Sequence, residues 1–189
     1  MDRIEVEALV VRVREHFVAQ FTVFIEDHRR NCAIGAPELK LRLNEPTTLF
    51  QNLYCMDFVK RDGEYEYLQL EPERASSFES IASSVGAAAL SIEALRWDDV
   101  IVRHDLASAP SDNIARWFRR WFDLDGERRD PDAMLSGVIH SLRVKPGRLS
   151  VDLGTAPADA FWEMLELLER AGARNIQIGG SGGEAAADH

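Results

Sequence analysis

Leu68, Leu70, Phe78, Ile81, Ala82 and Val85 recur 83 residues later as Val151, Leu153, Phe161, Met164, Leu165 and Leu168. Apolar positions repeated in one order are the mark of a supersecondary unit used twice. Each copy opens on a turn between apolar runs, Asp62-Gly63 and then Pro146-Gly147. It continues into a helix and closes on a short alternating strand, Leu90-Ser91-Ile92 and then Ile176-Gln177-Ile178. The expectation is an α+β chain with internal duplication of a hairpin-helix-strand unit, over residues 51–106 and again over 137–179. A helix/strand segment (1–50) precedes the units, a linker with an aromatic amphipathic helix (107–136) divides them, and a flexible tail (180–189) follows. The whole forms one compact domain in which amphipathic helices cover one face of an antiparallel or mixed sheet.

The local signals fill in this plan. Val10, Val13, Phe17, Phe21 and Phe24 fit a helical stripe, while Phe21, Val23 and Ile25 alternate, so a helix to about Phe17 and a strand from about Gln20 to Glu26 are expected. Cys32 to Pro37 reads as a turn. Leu39, Leu41 and Leu43 then alternate with Glu38, Lys40 and Arg42, a half-buried strand with its leucines inward. Asp62-Gly63 suits a hairpin because both residues tolerate positive φ. Ser76 or Ser77 caps a helix that buries Phe78, Ile81, Ala82, Val85 and Ala89. Residues 90–97 and Val100-Ile101-Val102 flank Asp98-Asp99 as a further hairpin. Asp112 caps a helix with Ile114, Trp117, Phe118, Trp121 and Phe122 on one face, the spacing of a core-packed surface. Asp130-Pro131 starts a short helix through Met134 and Leu135. Lys145-Pro146-Gly147-Arg148 turns into a strand, a helix spans 160–171 with Gly172 as its C-terminal cap, and residues 174–178 form the last strand.

Composition narrows the function. The 189 residues, 46% of them hydrophobic, suffice for a core without disulfides or a structural metal. Met1-Asp2-Arg3-Ile4-Glu5-Val6-Glu7 lacks the basic start and apolar run of a secretory signal, no apolar stretch has the length of a membrane span, and Cys32 and Cys55 stand alone. A cytoplasmic protein without membrane attachment is expected. A net charge of −10 argues against nucleic acid, whose binding draws on a basic surface, and favours a basic protein partner.

The leading expectation is a non-enzymatic acidic protein-interaction module; an immunity or antitoxin-type inhibitor of a basic partner is its concrete form. The charged loop with Asp123, Asp125, Glu127, Asp130 and Asp132 is its candidate binding surface. That loop is no EF-hand: with Asp123 first, Met134 stands where the closing bidentate glutamate belongs. No cofactor or metal is expected, since the glycine-rich tail lacks the Lys-Ser/Thr of a phosphate loop and no His-x-x-x-His or His-Glu-x-x-His spacing occurs. The alternative is a small-molecule binding protein or small enzyme with a cleft between the two halves. There His104 with Asp105, and His140, with Asp105 or Asp152 as carboxylate partner, are the candidate proton-transfer groups. A homo-oligomer, paired through an edge strand or through Trp117 and Trp121, is the third possibility.

Overall fold

Val6, Val10, Phe17, Phe21 and Ile25 are buried along one side of an unbroken 28-residue helix, α1 (Arg3–Arg30). The strand expected from Gln20 onward is helical instead. Phe17, Phe21 and Ile25 recur every four residues and are buried, whereas Val23, which alternation places beside them, is 58% exposed. The helical period therefore matches the burial. The computed structural model of the chain describes residues 3–73 and 79–179.

Three antiparallel strands follow: β1 (Ile34–Arg42), β2 (Leu53–Asp62) and β3 (Glu64–Leu68), in the order β1-β2-β3. The expected hairpin forms at Gly63 (φ 100°), which turns the chain alone while Asp62 pairs with Glu64 in the ladder; residues 34–37, expected in a turn, belong to β1. The faces of β1 are also reversed around its centre. Glu38 is buried and Leu39 is 37% exposed, because the inner side carries the ionic partners described below.

The second sheet has six strands: β4 (Ile81–Val85), β5 (Ala88–Ile92), β6 (Val100–His104), β7 (Ser141–Lys145), β8 (Arg148–Asp152) and β9 (Asn175–Gly179). They run in the order β4-β5-β9-β6-β8-β7, mixed because β5 and β9 are parallel. Two helices accompany them, α2 (Ser111–Phe122) and α3 (Ala158–Arg170). Ladder register assigns the two faces. Ile81, Ile92, Ile178, Val102, Leu149 and Val144 form one row across all six strands and join the core shared with the helices. The neighbouring row, Ala82, Ser91, Gln177, Arg103, Arg148 and Lys145, lies on the opposite face.

The duplicated unit is not confirmed. Its second copy forms as expected, from β7 through α3 to β9, with Gly172 (φ 102°) donating to the Glu169 carbonyl at 2.8 Å. In the first copy, Ile81, Ala82 and Val85 sit in β4, not on a helix. Ile81 and Val85 are four apart and so satisfy either period; the β-branched ends and a turn at Gly86 (φ 54°) favour a hairpin. Ser76, Ser77 and Phe78 lie outside the described residues. Nor do β5 and β6 form a hairpin, since β9 is inserted between them.

α2 matches its pattern, with Ile114, Trp117, Phe118, Trp121 and Phe122 all buried, each contributing roughly 1.5–3 kcal/mol. Its N-cap is Pro110, and Asp112 sits in the first turn. Trp117 donates to the Ala160 carbonyl (3.0 Å) and Trp121 to Glu163 (2.7 Å), so the tryptophan face is spent on α3. Residues 131–135 form turns, not the expected short helix.

Candidate functional site

The two sheets meet where residue 140 takes the place along β2 that the short β3 leaves open. The Cys55 amide donates to the His140 carbonyl at 2.8 Å, and the His140 amide to the Asp152 carbonyl at 2.9 Å. This fixes the His140 side chain at the junction, where it is fully buried. Phe21 of α1 covers it at 5.4 Å between ring centroids. Gly154 (φ 50°) lies against the ring so closely that an added Cβ would fall 2.2 Å from its Cδ2. Glycine is required there twice over, for its backbone and for its absent side chain.

Carboxylates flank the ring from the other sheet. Pro37 faces Phe58 and Leu39 faces Met56, so Glu38 and Asp57 fall opposite each other on β1 and β2. Two opposed carboxylates repel. His140 lies between them, its Nε2 3.3 Å from Glu38 Oε1 and its Nδ1 2.9 Å from Asp57 Oδ1, the second contact off the line of a hydrogen bond. Glu38 also accepts from the Thr155 hydroxyl and the Ser136 amide, and Asp57 from the Leu70 amide at 2.7 Å. The backbone of Glu38 is left-handed (φ 50°), a conformation uncommon for a residue with a side chain and held here by this network.

These surroundings set the charges. Burial alone lowers the affinity of the His140 ring for its proton, but the surrounding groups, Asp152, Asp57 and Glu38 among them, outweigh it and hold the ring well above its ordinary value, as imidazolium. For Glu38 burial acts upward and is again outweighed, by His140, Thr155 and the Ser136 amide, so its carboxyl is lowered and ionised. The buried Cys55 thiol is pushed up to about 12 and keeps its proton.

Asp152 connects this clasp to solvent. Its Oδ2 is 4.0 Å from His140 Nδ1, its Oδ1 accepts the Gly154 amide at 2.9 Å, and its side chain is one-quarter exposed. It lines a cleft of about 480 Å³ with Tyr54 and Met56 of β2, Ser141 and Arg143 of β7, and Asp98 and Asp99 before β6. Ladder pairs fix the floor: Ser141 opposite Asp152, and Arg143 opposite Ser150. Burial pushes the Asp152 carboxyl up to about 7. Burial, with the charges of Asp57 and Asp152, pushes the Tyr54 phenol up to about 12. Near neutrality the cleft therefore holds a carboxyl poised between its two states and a phenol that remains a donor.

The sequence candidates are distributed unevenly. His140 and Asp152 meet in the clasp. His104 is elsewhere, lining a separate depression with Arg103, Asp105 and Asn175; it is 8% exposed, and neither ring nitrogen has a hydrogen-bond partner among the described residues. Asp105 is engaged with the backbone amides of Arg174 (2.9 Å) and Asn175 (3.1 Å). In the acidic loop, Asp123 is buried, 3.7 Å from Lys40 Nζ, and Asp130 accepts the Asp132 amide, while Asp125 and Glu127 remain exposed. Glu38, Asp57 and Tyr54 were not anticipated. Only Asp57, a lone carboxylate within the apolar run Tyr54–Val59, carries a sequence signal. No protein-family model, curated protein or solved structure matches the chain.

Proposed function

We propose that the protein binds a small molecule in the cleft between the two sheets, with Asp152 as the group that accepts or returns a proton there. The observation that carries this reading is the position of Asp152. It is the one member of the carboxylate–imidazole cluster that also lines the cleft, and its carboxyl is raised to about 7, where proton exchange near neutral pH is easiest. The wall chemistry supports a ligand with a cationic or proton-donating group: three carboxylates, Asp98 (paired with Arg96 at 2.6 Å), Asp99 and Asp152, stand against one cation of the wall, Arg143, while Tyr54 gives an aromatic surface and a donor, and Leu43, Leu49 and Met56 apolar contact. The buried clasp beneath holds this wall in place and takes no part in contact, because His140 is fully enclosed.

The test is an NMR-monitored screen of small amines and amino acids against the native chain and its Asp152→Asn and Tyr54→Phe variants. Ligands that shift the amides of Tyr54, Ser141 and Asp152, and bind about tenfold or more weakly to Asp152→Asn, are the expected result. Binding that maps elsewhere, or that ignores both substitutions, would remove the cleft reading.

A further inference from the structure

Exposed aromatic surface is concentrated on the three-stranded sheet. β1–β3 register sets Ile34 beside Arg61 beside Tyr65, and Ala36 beside Val59 beside Tyr67, on the face opposite Phe58, whose ring stacks with His28 of α1. Ile34, Tyr65 and Tyr67 are 64, 63 and 55% exposed. The strand carrying both tyrosines, Glu64-Tyr65-Glu66-Tyr67-Leu68, is the last in its sheet, so its outer backbone groups have no strand partner among the described residues. An unpaired edge is a template for another strand.

We propose that β3 takes up an extended Lys/Arg-bearing segment of a partner protein as a fourth strand. Charge selects this occupant over a second copy. Antiparallel self-pairing along β3 sets Glu64 against the twin's Glu66 when centred on Tyr65, or Glu66 against its own twin when centred one residue on, in a chain whose net charge is already −10. The opposite edge, on β1, carries Pro37, Lys40 and Arg42 and repels a basic strand. A cationic segment on β3 meets glutamates on one face and tyrosines on the other. The tyrosine face already accommodates one guanidinium, Arg61, 5.4 Å from the Tyr65 ring centroid. Main-chain pairing supplies affinity in such strand addition, and side chains supply selection.

The probes are two fluorescent ten-residue peptides, one alternating lysine with threonine and the other glutamate with threonine, titrated into the full chain with amide shifts followed by NMR. The lysine peptide is expected to bind at low salt and shift residues 64–68. It should weaken about tenfold or more at high salt or in Glu64→Gln/Glu66→Gln, with the glutamate peptide inactive. Because Glu66 also pairs with Lys60 at 2.9 Å, Tyr65→Ser/Tyr67→Ser is the second variant, and it too should weaken binding with the melting curve retained. Equal binding of both peptides, shifts confined to the cleft or the 123–132 loop, or concentration-dependent self-association through β3 would each overturn the proposal.

Discussion

His104 closes β6 and His140 immediately precedes β7; both are buried, yet they are held in opposite ways. His140 lies between Glu38 and Asp57 among groups that hold its pKa well above the ordinary value, so that a protonated ring joins the two sheets through charge. His104 has buried ring nitrogens with no partner among the described residues, and burial, opposed by Asp105, lowers its pKa, which is the environment of a neutral packing residue. Burial by itself therefore says little about a histidine. What faces the ring decides whether enclosure makes it a clasp or a filler.

The largest expected effect comes from removing the clasp. His140→Phe keeps the volume but leaves two opposed carboxylates without a cation, and should cost about 3–5 kcal/mol in denaturant unfolding. It should also erase a pH dependence. A raised histidine contributes stability that is complete below its ordinary value of 6.5 and lost as pH rises through its folded value. A lowered glutamate contributes stability that is complete above 4.5 and lost as pH falls through its folded value. The clasp is therefore strongest between these limits, and the variant should lack both flanks. A variant that unfolds along the native pH curve would mean that the ring carries no charge.

A smaller effect, of opposite sign, belongs to Asp152. Its folded value is raised to about 7, so ionisation opposes folding: relative stability is complete below 3.8 and is lost as pH rises toward 7. Asp152→Asn keeps the oxygen that accepts the Gly154 amide and removes the charge. It should match the native chain near pH 4 and exceed it by about 2 kcal/mol above pH 7, a figure discounted for its partial exposure. Higher stability together with weaker ligand binding would be the pattern of a site that gives up stability for function.

The same contrast explains what the sequence made legible. Single-face periodicity located α2, α3 and β9, because a 3.6 or 2.0 period reports burial directly, and turn chemistry located the hairpin at Gly63. Periodicity failed where two periods coincide on few residues: Phe21 and Ile25, or Ile81 and Val85, fit either, and only tertiary packing separates them. The site was harder still. His140 and Asp152 stood out as titratable groups in apolar strands, but Glu38 reads as the solvent side of an alternating strand. Its inward turn depends on a histidine 102 residues away. Long-range charge pairing leaves no local period to detect.

The smallest effect sharpens the comparison most. If His104 is a neutral filler, His104→Leu exchanges an imidazole with two unpaired nitrogens for an apolar group of similar size. Burying an unsatisfied polar group costs stability, so its removal should be neutral or gain up to about 1 kcal/mol. The native ring, lowered in the fold, contributes stability that is complete above 6.5 and lost as pH falls toward its folded value. The gain should therefore be larger at about pH 5 than at about pH 8, where protonation of the unfolded chain no longer competes. Paired urea melts at those two pH values measure it. A loss of about 2 kcal/mol or more at both would mean that the ring nitrogens have a partner in solution. The depression shared with Arg103 and Asn175 would then rival the Asp152 cleft as the ligand site.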